Sequence, residues 1–586
     1  MDTDTHSEPT PHDLPLNAQP PSAHHVRYPD YANPELLEKI PLSARTVLDV
    51  GCAQGALGEA YLRRNPNARV LGIDIDAESI PHAAARLSEV ACVDVEADPM
   101  PFDVPDGIDC IIYGDVLEHM KDPWALLQRH VEYLAPGGTV LVCMPNVEHW
   151  SFALRLLQGS FDYENMGLLD RTHLRWFTPR TMASALASTG LTLADVAARP
   201  NDHEQARQFT QALAPGLRAI GVDPAEYLNR AGPLQFIWRA RKSAPARMVI
   251  NATMLEPQGG VSDVRVVEPM RALRTDSAVF AEIMAEPDLR PALADAPKIA
   301  ILHRPLLLSD SGLERLRRLL KQGYVIISEF DDHPLFMQQR GVDLNELLTF
   351  KAVHAVQTST PALAEVLRAE NPEIEMFPNG IFELPEVRNF ANPEQLTLFF
   401  GAINRAEDWA PLMQGLNEVA RAVGKRLRFD VVHDREFFDA LETPYKNFSP
   451  MCDYPHYMKL LGGADIAFMP LADNAFNRAK SDLKFIEASA CRVVSLASDI
   501  AYGNSIIENK TGLVFRNSME LRAHLLRVLA YPEAARQIGD AARADIAQRR
   551  MLAYQVDQRL AWYRSLWERR DELNAALRAR VPALFA

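Results

Sequence analysis

The sequence predicts an α/β protein made of three doubly wound, Rossmann-like units in series. Three observations predict it. The chain has 586 residues, too many for a single core and in the range of roughly three to five domains. Short apolar runs of strand length alternate with helical stretches along nearly all of it. Finally, TVLDVGCAQGALG, residues 46–58, runs from an apolar strand through Asp49 into a loop carrying Gly51, Gly55 and Gly58. That is where an α/β protein holds a nucleotide.

Residues 1–30 contain six prolines and little apolar periodicity, so a disordered tail is expected there. Its histidines, His6, His12, His24 and His25, read as solvated. The first unit is expected over 31–243. Its strands are RVLGIDI, IDCIIYG, GTVLVCMP and LTLADVA, and DPWALLQRHVEYLA is a helix ending at Pro136-Gly137-Gly138. LQFIWRARK, 234–242, reads as a late edge strand, and 201–232 as inserted helices that could form a lid. SAPAR, 243–247, is a short break. A second unit follows over 248–385, with MVINATML, KIAILHRP, GYVIISEF and HAVQTS as strands. A third follows over 386–586, with LTLFFGA, LRFDVVHD, ADIAFMPL and RVVSLAS. Amphipathic helices over about 531–581 close it and read as packing features.

With 47% hydrophobic and 24% charged residues, the composition is that of an ordinary globular protein. A formal charge of -16 disfavours nucleic-acid binding, which needs a basic face. The six cysteines include no C-x-x-C pair, so neither zinc nor a disulfide framework is expected. No apolar run approaches the ~18 residues of a membrane span, and the acidic start MDTDTHSEPT is unlike a secretion signal. A cytoplasmic protein is expected, with peripheral work beside a membrane still compatible.

The glycine loop discriminates between cofactors only in company. A dinucleotide fold wants G-x-G-x-x-G, whereas here the spacing is Gly51-x-x-x-Gly55-x-x-Gly58, with Ala53 at the position of the middle glycine. Read with GIDID, CVDVEADPMPF, GDVLEH and LAPGGTVLVCMPN in that order, residues 40–243 resemble the class I S-adenosylmethionine-dependent methyltransferases. The resemblance implies S-adenosylmethionine as cofactor, bound by Asp49, Gly51, Gly55, Asp74 and Asp94. Asp74 would take the ribose hydroxyls and Asp94 would lie near the adenine. Ala53 departs from the commoner glycine, and an altered loop contact is expected.

The stretch PNVEHWSFALRLLQGSFDYENMGLLDRTHLRWFTPRTM is similar to the methyltransferase branch associated with bacterial surface polysaccharides. Transfer to a sugar hydroxyl needs positioning and a base. His149 and His173 are the candidates, with Asp115 after the fourth strand as a third catalytic residue. The alternative for the histidines is hydrogen bonding to loop backbone. Glu118 and His119 are expected to start and orient a helix, and Asp170, Arg171 and Arg175 to tie down the loop.

The paired units after 247 resemble a GT-B glycosyltransferase of the retaining family 4 type. FPNGI (377–381), FFGAINRAEDW, NRAKSDLKFIEASACRVVSLAS (477–498) and TGLVF (511–515) carry the likeness. It implies a nucleotide-sugar donor whose diphosphate is neutralised without a metal by basic side chains and a helix N-terminus. Arg405, Lys480 and Ser481 are the phosphate candidates, and Glu487 the ribose candidate. Many relatives carry a second glutamate where this chain has Ala479. Asp482 or Lys484 could substitute. Asp331, Asp332 and His303 are acceptor candidates, since the spacing of DDH defines no metal pattern.

The expected function is thus bifunctional: methylation, most simply of a sugar hydroxyl, and glycosylation of a bacterial surface glycan or glycolipid such as an O-antigen, a capsule or a flagellin glycan. Two alternatives stand beside it. One is an active methyltransferase with a degenerate, glycan-binding GT-B module. The other is a small-molecule methyltransferase of quinone type.

Overall fold

The computed structural model describes residues 30–199, 203–243, 247–254, 260–284, 296–339, 341–344, 347–387 and 394–585. Residues 1–29 of the expected tail lie outside them. Three sheets are built in chain order. The first holds β1 Thr46–Val50, β2 Arg69–Asp74, β3 Glu89–Cys92, β4 Ile108–Gly114, β5 Leu134–Pro145, β6 Thr192–Arg199 and β7 Gln235–Arg241, in the order β3-β2-β1-β4-β5-β7-β6. β1 to β5 pair in parallel and β7 runs antiparallel to both neighbours.

One expectation is corrected here. LQFIWRARK forms β7, which lies inside the sheet; β6 takes the edge. The reason is burial: Phe236, Ile237, Trp238, Arg239 and Ala240 are all buried, so the strand is covered on both faces, whereas β6 has only half-buried and exposed residues as an edge strand does.

The second sheet holds β8 Met248–Met254, β9 Val279–Met284, β10 Lys298–His303, β11 Val325–Glu329, β12 Ala355–Thr358 and β13 Ile374–Met376, ordered β13-β12-β11-β10-β8-β9. The third holds β14 Leu396–Gly401, β15 Leu427–Val432, β16 Lys446–Ser449, β17 Ile466–Met469, β18 Val494–Ser498 and β19 Leu513–Phe515, ordered β16-β15-β14-β17-β18-β19. Every pairing in both is parallel. Their central strands are buried throughout (VIISE, LTLFFG and VSLAS have no exposed residue), because helices cover both faces of a parallel sheet.

The strand order reverses at three places: between β1 and β4, between β8 and β10, and between β14 and β17. Ligand crevices of open α/β sheets form there, at the carboxyl ends of the strands. The candidate residues cluster at those ends: Asp74 closes β2, Asp115 follows β4, His303 closes β10 and Arg405 follows β14.

The closing helices do more than cap the third unit. Val556–Glu568 and Arg570–Arg580 cross back to the second. Leu577, Val581 and Leu584 enter the core of Ala300, Ile326 and Val356, and the Tyr563 hydroxyl donates to Gln357 at 2.9 Å. A continuous core joins Ile250, Ile301 and Ile327 with Phe399, Ala467, Leu560 and Tyr563. The first unit seats on the second through polar contacts. Arg64, almost fully buried, meets Glu38 at 2.7 Å and Glu383 at 2.8 Å. Arg241 meets Asp276 at 2.6 Å, and the Leu42 N–H donates to the Thr275 hydroxyl at 2.8 Å. Among the described residues no helix is long and apolar enough to cross a membrane.

Candidate functional site

The cofactor crevice starts with backbone geometry. Gly51 and Gly55 sit at φ 71° and 84°, the left-handed region that glycine adopts without cost. Gly51 has a second reason: a Cβ there would lie 2.4 Å from a Val116 methyl. Ala53 adopts φ 45° without being glycine. Its N–H donates to Asp74 Oδ2 at 2.7 Å, and the Asp76 N–H donates to Asp74 Oδ1 at 2.8 Å. The acid that ends β2 therefore orients the loop that follows β1. Each carboxylate oxygen keeps a further lone-pair direction. Asp49 lies beneath this loop, 4% exposed. Burial, with a smaller contribution from Asp74, pushes its carboxyl up to about 7. Asp94, half-buried beyond β3, accepts from the Glu96 N–H at 2.9 Å.

The three catalytic candidates occupy different surroundings. Asp115, at φ 56°, is exposed and accepts from the Gln235 side chain, which in turn accepts from Arg199. Residues 199 and 235 face each other across β6 and β7, a pairing no local pattern announces. His149 caps the helix Trp150–Leu157, its Nδ1 meeting the Ser151 hydroxyl at 2.7 Å. Its Nε2 is buried without a partner, and burial lowers its pKa to about 4. The backbone role weighed for this histidine is thus realised through Ser151. The inserted helix His203–Ala219 covers this region, with Phe209 5.9 Å from the Trp150 ring.

His173 belongs to a different group. Its ring lies edge-to-face with His119, centroids 4.9 Å apart, and a Glu118 oxygen and one nitrogen of each ring lie within 4.8 Å of one another. Burial first, and Asp115 second, push the Glu118 carboxyl well up. Burial lowers both imidazoles. Glu118 and His119 form a single 3₁₀ turn, Leu117–His119; the helix expected of them starts later, at Pro123, capped by Asp122.

In the second crevice, candidates from both lobes meet. Lys480 Nζ lies 3.7 Å from Asp332 and 4.3 Å from the centre of the Phe476 ring. The Asn379 side chain of FPNGI donates to the Ser481 hydroxyl at 2.9 Å, and the Thr360 hydroxyl donates to the Ala479 carbonyl at 3.1 Å. Asp331 accepts from Arg304 at 2.7 Å; burial works to raise its pKa, but Arg304 holds it below the usual carboxylate range. His303 Nε2 lies 4.0 Å from Asp331. Arg405 starts the helix Ala406–Val423 and reaches Asp408 at 3.3 Å. Glu487 is 3% exposed, and burial pushes it up to about 7 against the pull of Lys484 and Tyr454.

Of the two expected substitutes for a glutamate at Ala479, Asp482 is already engaged. Asp482 takes both guanidinium nitrogens of Arg550, at 2.6 and 2.8 Å, and the Ser505 hydroxyl at 2.6 Å. Lys484 donates to the Gly401 carbonyl. Sequence reasoning also missed the arginines that build this crevice. Arg265, at a π-helical turn, Asp263–Val267, forks onto Glu329 at 2.8 and 3.1 Å and reaches the Phe377 carbonyl and Asn379, both at 2.8 Å. Arg304 had a local signal in H-R-P after a strand; Arg265 and Arg550 had none, since their partners lie 64 and 68 residues away.

Comparisons with known proteins bear on the first unit. A family model described as a methyltransferase domain matches residues 23–196. The ubiquinone biosynthesis O-methyltransferase of Pseudomonas fluorescens (strain Pf-5) is 30% identical over 168 residues, 27% of this chain and 69% of that protein. Its counterpart from Paracidovorax citrulli is 30% identical over 159 residues, 26% of this chain and 65% of that protein. The chain thus spans about two thirds of the length of these relatives. A solved glycosyltransferase from Rickettsia africae aligns with 55% of this chain and 99% of its own, at TM-score 0.38 and 12% identity. With the glycine loop, the acid ending β2 and the matched residues in agreement, the chain belongs, through its first unit, to the methyltransferase family.

Proposed function

We propose that this chain is a bifunctional enzyme, a methyltransferase over 31–243 joined to a two-lobed glycosyltransferase over 248–385 and 386–586, working on one bacterial surface glycan. The observation that carries the reading is the contrast in charge between its two crevices. Around the glycine loop stand Asp49 and Asp74, a setting suited to S-adenosylmethionine, whose sulfonium and ammonium are cationic. Around the interlobe crevice stand Lys480, Arg405 and Arg304, suited to a nucleoside diphosphate leaving group. Gly51 and Gly55 admit the cofactor, Asp74 takes its ribose and Asp94 flanks its adenine. His149, His173 and Asp115 face the acceptor. Lys480 and Arg405 hold the diphosphate, Ser481 adds a hydroxyl, and Glu487 takes the donor ribose. Asp331, Asp332 and His303 line the acceptor side. The partners are a glycan or glycolipid and a nucleotide sugar, and the setting is the cytoplasmic side of a membrane.

A second reading is favoured by the named quinone-pathway relatives: methyl transfer to a small phenol. Incubating the full chain with methyl-labelled S-adenosylmethionine and parallel panels of oligosaccharides and catechol-like phenols separates the two. Label on saccharides supports the first reading; label on phenols alone overturns it. Release of nucleoside diphosphate from a nucleotide-sugar panel tests the paired lobes in the same experiment.

A further inference from the structure

Glu118 is 1% exposed, and neither of its carboxylate oxygens has a hydrogen-bond partner. A buried carboxylate without partners costs several kcal/mol in either protonation state: ionised it lacks counter-charge, and neutral it buries an unused donor. Such a group points to a ligand. The only group of three or more histidines, cysteines or acids close enough to hold a metal, among the described residues, is built on it: Glu118, His119 and His173.

Proton bookkeeping assigns the imidazoles. The Thr172 hydroxyl donates its one proton to Asp170 Oδ1 at 2.7 Å, so toward His119 Nδ1, 3.0 Å away, it can only accept. His119 therefore carries its proton on Nδ1. His173 Nδ1 lies 3.3 Å from the Leu168 carbonyl, which also only accepts. On both rings the lone pair falls on Nε2. A carboxylate–hydroxyl–imidazole chain and a carbonyl–imidazole pair are the outer contacts that orient metal-binding histidines. The backbone fixes the third element. The Glu118 carbonyl accepts from the N–H groups of Leu174 at 2.7 Å and Arg175 at 3.0 Å, so the loop carrying His173 is stitched to the turn carrying Glu118.

We infer that Glu118, His119 and His173 form a binding site for a divalent first-row metal ion, which holds the acceptor hydroxyl in the methyl-transfer crevice. Two imidazoles with one carboxylate suit Zn²⁺, Fe²⁺, Mn²⁺ or Co²⁺ and leave positions open for an oxygen ligand. A hydroxyl on such an ion loses its proton far more readily than in water, and the departing proton passes to solvent or to a nearby base as the oxygen–methyl bond forms and the sulfur–methyl bond breaks. The ion supplies the activation that the reading above sought from histidine bases, and it replaces the earlier expectation that no metal is used. The role toward the acceptor rests on the methyltransferase reading; the site itself does not.

The test uses the full chain, stripped with chelator and titrated with Co²⁺. Wild type should show the visible absorption of a mixed nitrogen–oxygen site. Glu118→Gln and His173→Gln should each lose that band and weaken Co²⁺ binding at least tenfold, while both variants remain folded by circular dichroism. Any histidines that bind metal elsewhere contribute equally to all three proteins. No band in wild type, or a band untouched in both variants, overturns the site. Methyl transfer to saccharides that is indifferent to chelation overturns the metal's role while leaving the methyltransferase reading standing. A site that forms as described while label goes only to phenols leaves the metal standing and removes the glycan acceptor.

Discussion

The two crevices handle buried charge in opposite ways. In the paired lobes the acids named above each have a basic neighbour: Glu329 with Arg265, Asp331 with Arg304, Asp332 with Lys480, Asp482 with Arg550 and Glu487 with Lys484. In the first unit, Asp49 and Glu118 are buried among acids, with Asp74 and Asp115 as their charged neighbours. The difference follows the ligands proposed. An anionic diphosphate meets basic groups already screened by acids, which lowers the field it must disturb. A cation, whether a sulfonium or a metal ion, meets carboxylates whose desolvation cost it alone offsets. On that proposal the first unit would gain stability from its ligands, while the paired lobes would hold their shape without them.

That contrast is most directly broken by removing one charge on each side. Arg265→Ala leaves Glu329, fully buried, without its cation and also frees the Phe377 carbonyl and Asn379. A broken buried pair costs about 3–5 kcal/mol, and urea unfolding should show a loss of that size. Glu118→Gln should cost nothing measurable in the absence of ligand. Comparable losses in both would erase the distinction.

Asp49 sharpens it through pH. Its carboxyl moves from an ordinary 3.8 to about 7 in the folded chain. Between those values the folded state holds a proton that the unfolded state has released. Stability therefore falls as pH rises through that window and levels off above it. Asp49→Asn has no such proton. At pH 8 the variant should be more stable by on the order of 2–4 kcal/mol, with the advantage vanishing near pH 4. Parallel pH profiles for the two proteins would refute the unpaired state of this acid.

In the other crevice the effect appears in binding. Glu487 is raised to about 7 and Lys484 lowered to about 8. As pH rises through 7 the carboxylate forms and can accept from both ribose hydroxyls. Affinity for a uridine nucleotide, read by calorimetry, should rise roughly tenfold between pH 6 and 8, about 1.4 kcal/mol, and Glu487→Gln should flatten the rise. A rise that persists in the variant assigns it to another group.

What the sequence made legible was local. The placement of Asp74, Gly51 and Gly55 at the ends of β1 and β2 was readable because strand, turn and helix follow one another within thirty residues and each has its own composition signal. The placement of Lys480 and Ser481 just before the helix Leu483–Ala490 was readable for the same reason. The metal group was not: His173 is 54 positions beyond His119 in number, and only the hydrogen bonds from Leu174 and Arg175 to Glu118 close the gap. The misplacement of β7 has the same origin, since whether a strand lies inside or at the edge depends on what pairs beyond it. The proposed substitution by Asp482 failed because a carboxylate's availability depends on a partner, Arg550, that nothing near it in the chain reveals.

Ala53 gives the smallest test and the most local one. At φ 45° it stands in the left-handed region, where a residue with a Cβ carries about 1–2 kcal/mol of strain. Replacing it by glycine relieves that strain but adds freedom to the unfolded chain, worth roughly 0.5–1 kcal/mol in the other direction. Ala53→Gly should therefore stabilise the protein by about 0–1 kcal/mol in thermal unfolding. The hydrogen bond from its N–H to Asp74 does not involve the side chain, so cofactor affinity should stay within about threefold. Strain held at a ligand loop can instead preorganise it. If glycine stabilises the fold yet weakens S-adenosylmethionine binding tenfold, the methyl group at 53 holds Asp74 in its binding orientation, and the departure from glycine is part of the site.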